Sequence, residues 1–155
     1  LCTACSETTY HSNEEIGRAF QRHKSTFENV AVSAVGENSG YIHKPDAEGQ
    51  ETECGESGCK LMEADGLHIH LQREMSDTEL RHIAEAALAL MENVDIESIS
   101  FSQEAVRFHL KDESEYSWDP TIVYWRADDA DEGKIGYGEA VCRLADHWYA
   151  ALITR

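Results

Sequence analysis

The chain of 155 residues is 41% hydrophobic, and its 30 Asp and Glu residues against 13 Lys and Arg give a formal net charge of -17. Such a surface repels phosphate backbones, which argues against nucleic-acid binding, and no apolar run approaches the roughly 18 residues of a membrane-spanning helix. The length is typical of one domain. The negative field attracts basic partners, although solubility or adaptation to high salt would select the same composition.

The chain begins with LCTAC, in which Thr3 and Ala4 precede Cys5. This order resembles the lipid-attachment site of bacterial lipoproteins, where small residues precede the acylated cysteine. The chain departs from that pattern at Cys2, where an aliphatic residue is usual. The resemblance implies that Cys5 carries a lipid and that the residues before it are cleaved.

Residues 1–11 are expected to form a flexible tether, and residues 12–155 a single α+β domain. The first predicted helix covers residues 12–35, where apolar residues recur at steps of three and four. Ser12 and Glu15 have the spacing of a capping box at its start.

Residues 36–66 are rich in turn-forming residues and predict one or two hairpins, with CGESGC at a tip. The next segment, LHIHLQRE, alternates as a strand does, so that His68 and His70 share one face. A second helix is predicted to start at another capping box, from Ser76 to Glu79, and it carries a stripe of buried apolar residues.

After Asn93 the pattern predicts an antiparallel sheet, with the strand-like segments IESISFS, AVRFHLK and PTIVYWRA. Arg107 and His109 are expected to point to solvent. DDADEG is predicted to be a loop, GKIGYGE a further strand and WYAALIT a terminal strand. The fold class is therefore α+β: an N-terminal helix, a hairpin region, a second capped helix and then the antiparallel β-sheet.

The five cysteines cannot all pair within one chain. Cys54 and Cys59 are predicted to form a disulfide, because the glycines between them allow a turn that brings their Cα atoms close. Two alternatives remain open. Cys2 and Cys5 could join this pair as four thiolate ligands of zinc, or the cysteines, Cys142 among them, have no role.

The motif HIH places the imidazoles of His68 and His70 about 7 Å apart along one strand face. Both rings could converge on one metal ion if His43, His82 or His109 supplied a third ligand; the alternative is a pair of solvated histidines. We assign no cofactor, no metal ligand and no catalytic residue, because the chain lacks the common nucleophile, phosphate-binding and zinc-protease motifs.

A strongly acidic α+β domain without a catalytic motif is typical of a binding protein, since carboxylates capture Lys and Arg side chains of a partner. Two segments, AFQRHKSTFENV and DHWYAALIT, resemble those of small bacterial envelope lipoproteins of the immunity or inhibitor type. The resemblance implies a periplasmic or outer-membrane-anchored protein that neutralises a basic toxin or enzyme and contacts the membrane only through a lipid.

Acidic residues beside aromatic anchors are the usual pattern of such an interface. The predicted partner-binding residues are Asp128, Asp129, Asp131, Glu132, Tyr116 and Trp118. The alternative function is a zinc-binding, hydrolytic metalloprotein that uses His68 and His70 or the cysteine clusters. Without an export signal the protein would be cytoplasmic, which would favour zinc.

Overall fold

The computed structural model describes residues 12–34, 38–44, 60–64, 66–111 and 118–154. Its elements, in chain order, are α1 (Asn13–Arg22), α2 (Lys24–Ser33), β1 (Gly40–His43), β2 (Lys60–Ala64), β3 (Leu67–Leu71), α3 (Asp77–Asn93), β4 (Ile96–Phe101), β5 (Ala105–Leu110), β6 (Trp118–Trp125), α4 (Glu132–Ile135), β7 (Val141–Ala145) and β8 (Trp148–Thr154). The strands form one antiparallel sheet in the order β2-β3-β1-β4-β5-β6-β8-β7. The predicted α+β class is confirmed. Among the described residues, no helix combines the length and the hydrophobicity needed to cross a membrane.

Helices α1, α2 and α3 cover one face of the sheet, which we call the helix face, and the main core lies between them. Its centre is aromatic. The Phe27 ring meets Phe108 edge-on at 5.0 Å between centroids, and Phe20 lies 4.8 Å from Trp148. Each aromatic pair contributes about 0.5–1.5 kcal/mol beyond the burial of its area, so these four rings are a large part of what holds α1 and α2 on the sheet.

The predicted helix over residues 12–35 is two helices, because the chain breaks at His23. The backbone there has φ -127° and ψ 26°, and the His23 N–H donates to the Phe20 carbonyl at 3.1 Å, a tightened final turn. The break redirects the chain so that both Phe20 and Phe27 are fully buried. The apolar period of three and four residues continues across the break, which is why the sequence predicts one helix.

Both predicted helix starts carry the expected caps. Ser12 Oγ accepts the Glu15 N–H at 3.3 Å. At α3 the capping box is complete: Ser76 Oγ accepts the Glu79 N–H at 3.2 Å, and the Glu79 carboxylate accepts the Ser76 N–H at 3.2 Å. These contacts satisfy amide groups that a helix start otherwise leaves without partners.

The predicted hairpin region, residues 36–66, contributes two strands, β1 and β2, which do not pair with each other. β1 lies between β3 and β4, and β2 pairs only with β3, so residues 45–59 connect two strands that are not neighbours. The turn of the β2–β3 hairpin contains Gly66, which has a φ of 76° that favours glycine.

The predicted disulfide of Cys54 and Cys59, the lipid on Cys5 and the tether over residues 1–11 lie outside the described residues and stay predictions. Cys142, the only cysteine in the described part of the chain, is a free thiol.

We call the opposite face of the sheet, which carries the polar side chains described below, the polar face. A second, smaller core covers part of this face. There Ile135 of the short helix α4 packs with a set of apolar side chains from β5, β6, β7 and β8: Ala105, Val123, Trp125, Val141 and Tyr149. The strand predicted for GKIGYGE is therefore wrong, since its first part is α4. The solvent-facing position predicted for Arg107 is also wrong, because α4 covers this side chain and leaves it 8% exposed.

Candidate functional site

The acidic segment that follows β6 is exposed along its whole length. Asp128, Asp129, Asp131 and Glu132, which together we call the acidic surface, are all exposed, and the Asp128 side chain is fully so. The structure therefore brings together four of the six residues predicted to bind a partner.

The loop that carries the acidic surface is anchored to the fold. The indole N–H of Trp125, the last residue of β6, donates to the Asp129 carbonyl at 3.0 Å. Asp131 Oδ1 accepts the Lys134 N–H at 3.2 Å and so caps α4. The His147 Nε2 lies 3.7 Å from the Asp128 carboxylate. A loop held in this way loses little conformational freedom when it binds a partner.

Directly after α4, the side chain of Tyr137 projects from the surface and is 62% exposed. Its φ of 50° lies in the left-handed region, which a bulky residue rarely adopts. The guanidinium of Arg107 lies 4.1 Å from the centroid of the ring, within the range of a cation–π contact. Sequence reasoning missed Tyr137, although a tyrosine between two glycines in GYG was an available signal.

Arg107 supports both α4 and Tyr137 from below. Its NH1 donates to the Ile135 carbonyl at 2.7 Å and its NH2 to the Lys134 carbonyl at 2.9 Å. Burial lowers the pKa of Arg107, and the nearby Tyr137 and Glu104 act in the opposite direction. The guanidinium thus satisfies the last two carbonyls of α4, beside the backbone caps from Gly136 and Gly138, and carries the aromatic ring above it.

Of the two aromatic residues predicted for this interface, Trp118 is the one that the structure describes, and it lies away from the acidic surface. Trp118 is half-buried at the first position of β6, and the acidic loop leaves the other end of that strand. Trp118 and Trp125 are seven positions apart along the strand, roughly 23 Å at the usual rise. Tyr116 lies outside the described residues.

The predicted pair His68 and His70 lies on the polar face of β3, and β1 adds His43 to it; we call these three residues the histidine cluster. His43 Nε2 is 3.1 Å from His70 Nε2, and these two rings are stacked at 5.2 Å between centroids. The His43 and His68 rings are 5.3 Å apart, edge to face. The Tyr41 ring borders the cluster, 5.2 Å from His43.

The close approach of β1 to β3 depends on Gly40. A Cβ at this position would lie 2.7 Å from the His70 carbonyl oxygen and would also meet the Phe101 ring. Such contacts would push the two strands apart. Burial, and then the neighbouring His43 and His68, lower the pKa of His70.

Further along the polar face, three side chains form a relay that sequence reasoning missed. His109 Nδ1 donates to Asp119 at 3.2 Å, and its Nε2 accepts from the Ser100 hydroxyl at 3.3 Å. The order of contacts is that of a serine hydrolase triad. Ser100, however, lies in β4 between two neighbouring strands. The backbone amides around it are hydrogen-bonded to those strands and do not form an oxyanion hole.

Of the three residues considered as a third metal ligand, only His43 joins the predicted pair. His109 is engaged with Ser100 and Asp119, and His82 is exposed on α3, across the sheet. Over the described ranges of the chain, no group of three or more His, Cys, Asp and Glu side chains is arranged to hold a metal ion.

Comparisons of the chain with protein-family models, with curated proteins and with solved structures find no match. The resemblance to envelope lipoproteins of the immunity or inhibitor type therefore stays a prediction, and the function rests on the chemistry of the acidic surface and the histidine cluster.

Proposed function

We propose that this protein binds a basic protein, a toxin or an enzyme, through the acidic surface and Tyr137, and neutralises it without chemistry of its own. The proposal includes a site of action in the bacterial envelope, with the lipid on Cys5 as its anchor. The observation that carries it is the exposed ring of Tyr137, held over Arg107 at the end of the short helix α4, which the exposed acidic surface precedes in the chain.

The charge of the protein supports this function. A net charge of -17 produces a field that accelerates encounters with positively charged partners. The carboxylates of Asp128, Asp129 and Glu132 are exposed, so they can pair with Lys and Arg side chains of a partner at the rim of an interface.

The conformation of Tyr137 supports it as well. A non-glycine residue in the left-handed region costs roughly 1 kcal/mol or more, and such strain is concentrated at functional positions. Tyrosine is also among the residues that contribute most binding energy at protein interfaces. An exposed aromatic ring and an acidic surface carried by the same segment fit a partner surface that combines an apolar pocket with basic side chains.

We expect the triple substitution Asp128→Asn, Asp129→Asn, Glu132→Gln to slow association with the basic partner about tenfold at low salt, because it removes the charges nearest the contact. Asp131 is left intact since it caps α4. The measurement is surface plasmon resonance against a panel of purified basic secreted enzymes and toxins, together with the residual activity of each.

The matched control is the triple substitution Glu28→Gln, Glu85→Gln, Glu92→Gln, which changes the net charge equally at exposed positions on α2 and α3. It should leave association within about twofold of wild type, and 1 M salt should abolish the difference between the variants because the screening length falls to roughly 3 Å. If no basic protein binds at low salt, or if both triple variants lose binding equally, the proposed surface is wrong.

Tyr137→Ser should accelerate dissociation of the partner about tenfold or more, because it removes a central aromatic anchor, and should leave the association rate nearly unchanged. Tyr137→Phe keeps the ring over Arg107 and should bind within a few-fold of wild type. Equal dissociation rates for wild type and Tyr137→Ser would show that the ring lies outside the interface.

A further inference from the structure

Two imidazole nitrogens of the histidine cluster converge from neighbouring strands. His43 on β1 and His70 on β3 place their Nε2 atoms 3.1 Å apart, with the rings stacked. In the antiparallel register His43 lies opposite His68, and Tyr41 lies opposite His70. His70 is therefore the diagonal neighbour of His43 on the same face, and the conformations of the two side chains bring their Nε2 atoms together.

The contact made by Nδ1 of His43 determines which of its two ring nitrogens carries the free lone pair. Its Nδ1 lies 2.7 Å from the Lys44 carbonyl oxygen, an acceptor, so the proton is on Nδ1. Metal-ligating histidines almost always donate their second N–H to a carbonyl or carboxylate in this way. The Nε2 of His43 is then an acceptor, and the Nε2–H of His70 donates to it. For His70 to ligate an ion through Nε2, its proton must move from Nε2 to Nδ1, which leaves the imidazole neutral.

The separation of the two nitrogens matches the requirement of one ion. With a zinc–nitrogen bond of about 2.05 Å, two ligating nitrogens are about 2.9 Å apart at a right angle and about 3.3 Å apart at the tetrahedral angle. The observed 3.1 Å lies between these values. The net charge of -17 also raises the local concentration of divalent cations.

We propose that His43 and His70 chelate one divalent transition-metal ion of the zinc class through their Nε2 atoms. Because no group of three side chains in the described ranges surrounds a common point, water or an external ligand completes the coordination, and the site is an open chelate and not a closed structural one. The sequence alone assigned no metal ligand, so this proposal departs from that prediction. It is independent of the function proposed for the acidic surface.

The test is calorimetric titration of Zn²⁺ into metal-free protein. We expect wild type to bind at a saturable site and His43→Gln to weaken that site by at least the roughly 10–100-fold that loss of a single outer-sphere partner costs. His82→Gln, at an exposed position on α3, is the matched control and should bind as wild type does. Circular dichroism confirms that each variant is folded, and long-range ¹H–¹⁵N spectra of the imidazoles should show His43 protonated at Nδ1.

Co²⁺ distinguishes this site from the cysteines, because a thiolate ligand adds an intense charge-transfer band in the near ultraviolet that imidazoles do not. The proposal is supported if the Co²⁺ bound with His43-dependent affinity lacks that band. It is overturned if wild type binds no zinc, if His43→Gln binds zinc as tightly as wild type does, or if the Co²⁺ bound with His43-dependent affinity shows the thiolate band.

Discussion

Phe27→Ala should lower the free energy of unfolding by about 3–5 kcal/mol, the usual cost of truncating a buried aromatic ring. The Phe27 side chain is fully buried, and its ring contacts Phe20 at 5.6 Å, Phe108 at 5.0 Å and Trp148 at 6.2 Å between centroids. Alanine would remove all three ring contacts and leave a cavity between α2 and the sheet. Urea denaturation followed by circular dichroism measures the change. A loss of this size is a large fraction of the 5–15 kcal/mol that stabilises a typical domain.

Val32→Ala provides the control on the same helix. Val32 is 85% exposed, so its truncation should change the free energy of unfolding by no more than about 0.5 kcal/mol. A loss below 1 kcal/mol for Phe27→Ala, or equal losses for both variants, would contradict the position of α2 over the centre of the sheet.

Arg107→Met should lower the free energy of unfolding by about 2–3 kcal/mol and loosen α4 in particular. Methionine fills much of the same space but leaves the carbonyls of Lys134 and Ile135 without their donor, and each unsatisfied buried group costs about 1–3 kcal/mol. Hydrogen exchange gives the local measurement. The amides of Gly136 and Gly138, which donate to carbonyls within the α4 segment, should exchange faster in this variant than in wild type.

Arg81→Met is the matched control, because Arg81 is exposed on α3 and its replacement should be nearly neutral. Arg107→Lys should be intermediate, since an ammonium group cannot reproduce the planar fork that reaches two carbonyls. If the amides of α4 were protected equally in wild type and Arg107→Met, the guanidinium would not be what holds this helix. Because Arg107 also lies under Tyr137, the same substitution should weaken binding of the proposed partner.

The parts of the fold that depend on local chemistry were predictable from the sequence. The capping box at Ser76 and the apolar stripe after it define α3, period-two alternation defines β3 and β5, and a run of β-branched and aromatic residues defines most of β6. Each signal reports on residues a few positions apart, where periodicity relates directly to burial.

The parts that depend on distant contacts were not predictable in the same way. Arg107 alternates with Val106 and Phe108 as a solvent-facing residue would, and it is buried only because α4 returns over it 27 and 28 residues later. α4 is four residues long, too short to show a helical period, and its sequence contains glycine. The break at His23 follows from packing Phe20 and Phe27 against the same sheet, which no local pattern expresses.

The two candidate sites show the same difference between local and distant contacts. The acidic surface is contiguous in sequence, so composition alone located Asp128, Asp129, Asp131 and Glu132. The pair of His43 and His70 joins residues 27 positions apart and requires the register between β1 and β3. The motif HIH indicated that His70 could be a metal ligand. Which of the three candidate histidines lies next to it became clear only from the strand order.

The position of β1 between β3 and β4 makes this short strand a weak connection within the sheet. β1 is four residues long, yet among the strands that the structure describes it alone joins the β2–β3 hairpin to the other five. An isolated two-stranded hairpin is marginally stable, so transient detachment of this short strand would release the hairpin as one unit while the larger half of the sheet stays intact. An ion bound by both His43 and His70 would link β1 to β3. Loss of the ion would favour local opening of this part of the sheet, at a free-energy cost well below that of global unfolding.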